Sequence, residues 1–226
     1  MPSAPSHLFM STSRNRPLRA VVFAICSGAL WATPAQAQTE GGNCGSLATG
    51  YGPYDYRTQQ YKLKVVEDAH FTPEVEALIR GSSGAIESDL GYTLHTFPNH
   101  PRALMAMARL GEKLKTPQPR YARYSVACYF DRAIRFAPSD TVVRILYARY
   151  LAKQARPDEA LTQLDVAVTQ AKDNPFSHYN IGLAFFDLGQ YDKARVQAHT
   201  AAAMDFERTE LTDKLKSANQ WQEAVN

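Results

Sequence analysis

Histidine spacing is the first test of whether this chain could bind a metal or move protons. Five histidines follow residue 37, and no two stand three or four residues apart, the spacing that places two ligands on one helix face. Only His70 has acids at such distances, Glu67 and Glu74, and Thr72-Pro73 is expected to break any helix joining them. The pattern therefore favours structural histidines over a metal site, at His70, His95, His100, His178 and His199.

The other residues that could do chemistry are two cysteines and a pair of acids. Neither Cys44 nor Cys128 has an obvious base near it in sequence to activate a thiol nucleophile. Glu74 and Glu76 fit first-turn acids that complement a helix dipole better than a catalytic pair. The sequence contains neither a glycine-rich phosphate loop nor a Gly-x-Ser-x-Gly motif. We predict that the chain is not an enzyme and uses no cofactor or metal.

The two cysteines could instead pair with each other. Cys44 and Cys128 are the cysteines that follow residue 37, and an even number in an exported protein permits one disulfide. The alternative is two unrelated thiols, one on a flexible segment and one packed in a helix. Sequence separation does not show whether two Cα atoms come within bonding reach. Both alternatives stay open at the level of sequence.

Residues 1–37 have the pattern of a secretory signal peptide. Three arginines without an acid precede the apolar run Ala20–Ala32, and Ala35-Gln36-Ala37 is a small-x-small cleavage site. The apolar run is shorter than the roughly 20 residues that span a bilayer. We expect cleavage before Gln38 and an exported protein, periplasmic or secreted, with no membrane span in the mature chain.

Removing this segment changes the charge balance. The full chain has 25 Lys and Arg against 22 Asp and Glu, and three of the arginines belong to residues 1–37. The remaining chain has equal numbers of basic and acidic residues. Nucleic-acid binding needs a basic surface for phosphate contacts, so a nucleic-acid partner is not expected.

The predicted arm, residues 38–71, lacks a helical period over its first half. It is rich in turn formers, and four tyrosines fall between Tyr51 and Tyr61. Disordered linkers are usually poor in aromatic residues, so we expect this arm to pack on something. It is either a strap that covers the exposed edge of the following helices, which we favour, or an arm that contacts a partner.

A period of 34 residues dominates the rest of the chain. Ala133, Ala167 and Ala201 are spaced by 34, and Asp158-Glu159-Ala160 recurs as Asp192-Lys193-Ala194 at the same interval. A fixed period of this length is typical of stacked helical repeats. The spacing of Ile181, Phe185 and Leu188 is that of an apolar helix face. We therefore predict an all-α domain over 72–226.

These units resemble the tetratricopeptide repeat family, whose pattern runs Trp-x-x-Leu-Gly-x-x-Tyr, then Ala-x-x-x-Phe, then a late Ala and Pro. The last unit has His178 in place of the Trp, followed by the matching residues Ile181, Gly182, Phe185, Ala194 and Ala201. The unit before it matches at Tyr147, Ala148, Leu151, Ala160, Leu164 and Ala167. The resemblance implies a right-handed α-solenoid of about three to four helical hairpins, with the irregular arm before it and a capping helix after it.

Departures from the repeat predict irregular elements. Thr72-Pro73 is expected to cap a short helix that ends at Gly81. An insertion near Thr116–Tyr121 is expected to lengthen the turn between two helices, at Pro101–Lys115 and Tyr124–Phe136. Arg208–Ala224 reads as a terminal helix with Leu211 and Leu215 inward.

The resemblance also implies a site. In this family the first helix of each hairpin lines a concave groove, which in this chain corresponds to Arg102, Met105, Arg109, Ile145, Arg149, Lys153, Tyr179, Asn180, Leu183 and Phe186. Arginine, asparagine and aromatic residues suit an extended peptide, because Asn can bond its backbone and Arg its carboxylates. The expected function is a non-catalytic adaptor of the cell envelope that binds a protein or peptide segment. The alternative is an accessory protein that binds a small ligand or glycan through the tyrosine-rich arm.

Overall fold

A computed structural model describes residues 44–223, and all regular structure in this range is helical, as the period predicts. The predicted signal peptide and its cleavage site lie outside the described residues. A 3-10 turn at Gln60–Lys62 precedes ten α-helices: α1 Leu63–His70, α2 Pro73–Glu76, α3 Ile86–Thr96, α4 Pro101–Leu114, α5 Val126–Phe136, α6 Thr141–Lys153, α7 Pro157–Ala171, α8 Pro175–Asp187, α9 Tyr191–Ala202 and α10 Glu210–Ser217. None of these helices has the length and apolar character needed to cross a bilayer.

Local sequence explains where most of the helices begin and end. The side chains of Ser125, Asp140 and Asn174 accept backbone N–H bonds at the starts of α5, α6 and α8, which satisfies donors that have no partner within the helix. Proline occupies the first position of α2, α4, α7 and α8, where its missing N–H costs nothing. Gly189, with φ of 70°, forms the turn between α8 and α9.

Consecutive helices pack as hairpins, and the hairpins pack on one another. The most extensive contacts join α6 to α7 and α8 to α9, while α7 also contacts α8. The first helix of each hairpin also contacts the first helix of the next hairpin, α4 with α6 and α6 with α8. The terminal helix α10 packs against both α8 and α9. The periodic alanines Ala133, Ala167 and Ala201 are all buried at these interfaces.

The irregular elements differ in length from the sequence expectation. The helix after Thr72 ends at Glu76 rather than near Gly81, since Leu78 takes a left-handed conformation, with φ of 56°. α5 begins at Val126 rather than Tyr124, because Ser125 is its N-cap. The terminal helix covers Glu210–Ser217, shorter than predicted, and it buries Leu211 and Leu215 as expected.

The described part of the arm lies on the helices. The backbone N–H of Tyr54 donates to the carbonyl of Thr96 at the end of α3 over 2.8 Å, and the N–H of Tyr56 donates to Asn99 Oδ1 over 3.0 Å. The rings of Tyr54 and Tyr56 contact Phe97 and His100. A disulfide between Cys44 and Cys128 attaches the start of this segment to α5. Residues 44–62 are named the strap below.

A leucine at Ala194 should destabilise the domain. Ala194 is fully buried on α9, and its carbonyl lies beside Gly182 of α8, where the two helices approach closely. Overpacking such a contact costs about 1–3 kcal/mol of unfolding free energy. Thermal unfolding of Ala194→Leu measures the loss, and Ala202→Leu, at an exposed position of the same helix, is the matched control. Equal midpoints for the two variants would show that Ala194 does not set the helix spacing.

Candidate functional site

The candidate site is a cavity of about 620 Å³ between α4, α6 and α8. Four of the ten residues predicted from the repeat pattern line it: Met105, Arg109, Arg149 and Lys153. The remaining lining includes Ala108, Glu112, Phe130, Leu146, Ala148, Tyr150, Ala152, Ala184, Asp187 and Leu188. The cavity thus combines a mainly apolar wall with three cationic side chains and two carboxylates.

Helical spacing explains how these side chains come together. Met105 and Arg109 lie four residues apart on α4, as Arg149 and Lys153 do on α6, so each pair occupies one face of its helix. Because α4 packs beside α6, and α6 beside α8, the two faces open into the same space. The packing of the hairpins therefore builds the cavity from residues up to 83 positions apart in sequence, from Met105 to Leu188.

The three cations are held differently. Arg109 Nη2 donates to the carbonyl of Glu76 over 2.9 Å, and Lys153 Nζ pairs with Glu112 Oε2 over 3.0 Å. Arg149 differs, because its Nε is buried and has no hydrogen-bond partner within the described chain. A buried donor without a partner costs about 1–3 kcal/mol of stability. Among the three cations, Arg149 is therefore the one that a hydrogen-bond acceptor on a ligand would stabilise most.

Aromatic rings form the base of the cavity wall. Phe130 of α5 stacks on Tyr147 and Tyr150 of α6, with ring centroids 5.0 and 5.5 Å apart. Burial raises the pKa of Tyr147 to about 12, because the charged phenolate would lose its hydration in this stack. The stack fixes α5 against α6 and gives the cavity a rigid apolar side.

The other six predicted residues are not part of this cavity. Arg102 grips Glu76 through both Nε and Nη2, and its guanidinium stands over the Phe71 ring. Ile145, Tyr179 and Leu183 are buried, so they belong to the core rather than to an open face. Asn180 bonds the Phe176 carbonyl of its own helix.

Phe186, the last of the six, lies in a second hollow that α10 helps to form. Lys214 of α10 stands over its ring at 5.4 Å, and Tyr179 donates from its hydroxyl to Glu210 of the same helix over 3.3 Å. The capping helix thus covers the α8 face that the repeat pattern assigned to the groove.

Two of the lining residues missed by the sequence analysis could have been found from helical spacing. Glu112 follows Met105 by seven residues and so shares its face of α4, while Leu188 follows Ala184 by four at the end of α8. Phe130 had no such signal, because it reaches the cavity from a second helix that lies behind α4 and α6.

Three of the histidines that could have done chemistry, His70, His178 and His199, have polar contacts with neighbouring groups. His70 Nδ1 is 2.9 Å from Asp89 Oδ1, and the His70 ring contacts the Tyr92 ring at a tilt of 31°. His178 lies between the side chain of Gln197 and the carbonyl of Lys172, each at 2.7 Å. His199 Nε2 contacts the Gln222 carbonyl. No group of three or more metal-ligating side chains occurs within residues 44–223.

His100 holds the junction of α1 and α4. Its Nδ1 accepts the N–H of Ala103 at the start of α4, so its Nε2 carries the proton and donates to Glu67 of α1 over 3.0 Å. Burial lowers the pKa of His100, which keeps the ring neutral in this role.

The tyrosines of the strap form a separate surface feature. Lys62 Nζ lies between 5.5 and 6.0 Å from the ring centroids of Tyr51, Tyr54 and Tyr61. Tyr54 packs inward on Phe97, whereas Tyr61 faces solvent, with 75% of the residue exposed. We name these four residues the tyrosine cluster.

No family model and no curated protein matches this chain. The resemblance to tetratricopeptide repeats therefore rests on the chain's own residues, namely the period of 34 and the small residues that recur with it.

Proposed function

We propose that this protein is a non-catalytic adaptor that binds a peptide or protein segment in the cavity between α4, α6 and α8. The observation that carries the proposal is the cavity itself, with the unpartnered Nε of Arg149 beside an apolar wall. Its volume of about 620 Å³ lies within the range of sites that enclose most of a small ligand's surface.

The chemistry of the lining favours a peptide segment over a purely apolar ligand. Met105 is 44% exposed and Leu188 is half-buried, so both offer apolar contact. Arg149 offers a fork of N–H donors that suits a backbone carbonyl or a carboxylate. A peptide supplies apolar side chains and carbonyl acceptors together, which matches this combination.

The arrangement of the helices supports the finer architecture, a right-handed solenoid of tetratricopeptide-like hairpins. In such a solenoid the first helices of successive hairpins lie side by side. The contacts of α4 with α6 and of α6 with α8 fit this arrangement. In the proposed assignment α10 occupies the position of a further first helix and caps the array.

The proposed location is the periplasm or another exported compartment. The Cys44–Cys128 disulfide supports it, since disulfides persist in oxidising environments, and the signal pattern of residues 1–37 points the same way. Amino-terminal sequencing of the protein from its native host tests the proposal. A chain beginning at Gln38 is expected, and an intact Met1 on a cytoplasmic product would refute export.

The binding proposal is tested by selection of peptides from a displayed random library on the immobilised protein. The selected peptide should bind Arg149→Ala and Met105→Ala about 10- to 100-fold more weakly than wild type, as for truncation of a central interface residue. Arg80→Ala and Val196→Ala, at exposed positions away from the cavity, serve as matched controls and should bind normally. Isothermal titration calorimetry gives the dissociation constants.

Equal affinities for all four variants would contradict the cavity as the binding site. The thermal unfolding midpoint of each variant is measured as well and should be close to that of the wild type. Loss of binding in a misfolded variant would carry no information about the site. Of the four positions, Met105 and Arg149 were chosen because both line the cavity, and because Nε of Arg149 has no partner among residues 44–223 that truncation would remove.

A second candidate function rests on the tyrosine cluster. Exposed tyrosines combine an apolar face with a polar tip, a surface that suits an amphipathic ligand such as a glycan. Under this alternative, Tyr61→Ala should abolish the heat of binding to a soluble glycan and leave peptide capture unchanged. Peptide binding that is lost in Arg149→Ala and kept in Tyr61→Ala would decide for the cavity.

A further inference from the structure

Arg132 of α5 is the most deeply buried charged side chain of the strap interface, with 1% of the residue exposed. Its Nη1 donates to the carbonyls of Cys44 and Ser46, over 2.9 and 2.8 Å, so one side of the guanidinium holds the strap. The guanidinium carbon lies 4.6 Å from the centroid of the Tyr124 ring. The arginine is thus enclosed by the strap, its own helix and an aromatic face.

The surroundings of Arg132 provide no neutralising carboxylate in the described chain. The charged groups that act on it are Arg123 and Arg135, which repel it, while Tyr124 and Tyr129 are phenols. The neighbouring acid, Asp131, is engaged by Arg135 Nε over 2.7 Å. Burial lowers the pKa of Arg132, because the charged form loses hydration that nothing fully replaces. An isolated buried charge is unfavourable unless it is paired.

The unpaired part of Arg132 has a definite geometry. Its Nε and Nη2 are both buried, and neither has a hydrogen-bond partner among residues 44–223. These two nitrogens form one edge of the guanidinium, whose parallel N–H bonds match the two oxygens of a carboxylate.

The same edge binds carboxylates elsewhere in this molecule. Arg57 contacts Asp55 through Nε and Nη2 over 3.0 and 2.7 Å, and Arg156 contacts Glu159 through the same atoms over 2.6 and 2.7 Å. Arg102 does so with Glu76. These three arginines are far more exposed than Arg132. An unpaired charge therefore costs more free energy at Arg132 than it would at any of them.

We propose that the Nε–Nη2 edge of Arg132 is a binding site for a carboxylate group, which locks the strap onto α5. A single carboxylate would neutralise the guanidinium, and it would use the two nitrogens that the strap carbonyls, which are bonded to Nη1, leave without a partner. The proposed occupant is a free small carboxylate, and formate is the smallest probe of that class.

The test is the thermal midpoint of the full-length chain, purified from the envelope after export, as sodium formate is added at constant ionic strength. If a free carboxylate fills the site, the midpoint of the wild type rises and saturates, since a ligand that binds only the folded state stabilises it.

Two variants separate the site from general effects of the salt. Arg132→Lys keeps the charge and loses the fork, so it should show no saturable response. Arg135→Met is the matched control, because Arg135 also reaches the strap, at the Gly45 carbonyl, while its Nε is already bonded to Asp131. This control should respond as its parent does.

A spectroscopic readout keeps the proposal testable if Arg132→Lys folds poorly. The Nε–H resonance of Arg132 in a ¹⁵N NMR spectrum of the wild type should move with formate, and its exchange with water should slow. Absence of both the stabilisation and the resonance shift in the wild type would overturn the proposal. An equal response in Arg132→Lys would also overturn it, since the effect would not need the fork.

Discussion

Serine at both Cys44 and Cys128 is expected to lower the free energy of unfolding by about 4–5 kcal/mol. The two cysteines are 84 residues apart, so the bridge closes a long loop in the unfolded chain and removes much of its conformational entropy. Such a loss approaches the whole stability of a small domain. The strap should detach first, because the bridge anchors its beginning to α5.

Urea unfolding, followed by circular dichroism, measures this change. The wild type in a strong reductant should behave like the double serine variant, and the variant itself should be insensitive to the reductant. An unfolding free energy of the variant within about 1 kcal/mol of the oxidised wild type would contradict the expected effect. Faster hydrogen exchange confined to the backbone of Tyr54 and Tyr56 would show that strap detachment precedes global unfolding.

Alanine at Asn99 is expected to cost about 2–4 kcal/mol of stability, because it breaks a buried polar network. Asn99 is 1% exposed, and its Nδ2 donates to Asp55 Oδ1 over 2.8 Å and to Asp140 Oδ2 over 2.9 Å. Its Oδ1 accepts the N–H of Tyr56. Truncation leaves two carboxylates facing each other with only Arg57 between them, and a strap N–H without its acceptor.

The matched control for this variant is Asn180→Ala. Asn180 also donates through Nδ2, to a carbonyl within its own helix, at a partly exposed position, so its removal should cost less than about 1 kcal/mol. Arg57 lowers the pKa of Asp55 to about 2. The network of the wild type therefore stabilises the folded state at pH values above the ordinary pKa of an aspartate. That contribution should be lost as the pH falls from about 4 to about 2. An Asn99→Ala variant as stable as Asn180→Ala would show that the network is not needed.

Sequence patterns could predict the elements whose neighbours are close in the chain. The period of 34 indicated helices and identified Ala133, Ala167 and Ala201 as interior positions, because a residue that sets a helix–helix distance must be small in every hairpin. The inward positions of Leu211 and Leu215 followed from helical spacing in the same way. Met105 with Arg109, and Arg149 with Lys153, could be assigned to common helix faces for that reason.

Helical spacing carries no information where a distant element covers a face. Tyr179 and Leu183 have the spacing of groove residues, yet both are buried, and α10 packs on α8 with Glu210 bonded to Tyr179. Arg102 has the spacing too, but it turns towards Glu76, whose position depends on the irregular end of α2. A repeat pattern describes one hairpin at a time and carries no information about what packs against the last or the first of them.

By itself, the sequence determined that this protein is helical and that the alanines recurring every 34 residues are interior positions, since these properties depend on contacts within one period. Only the tertiary structure decided that Cys44 meets Cys128, that the strap lies along α3 and α5, and that Arg149 opens into a cavity with its Nε unpaired. Each of these depends on groups that are tens of residues apart, and their meeting is set by the sum of all the helix packings between them.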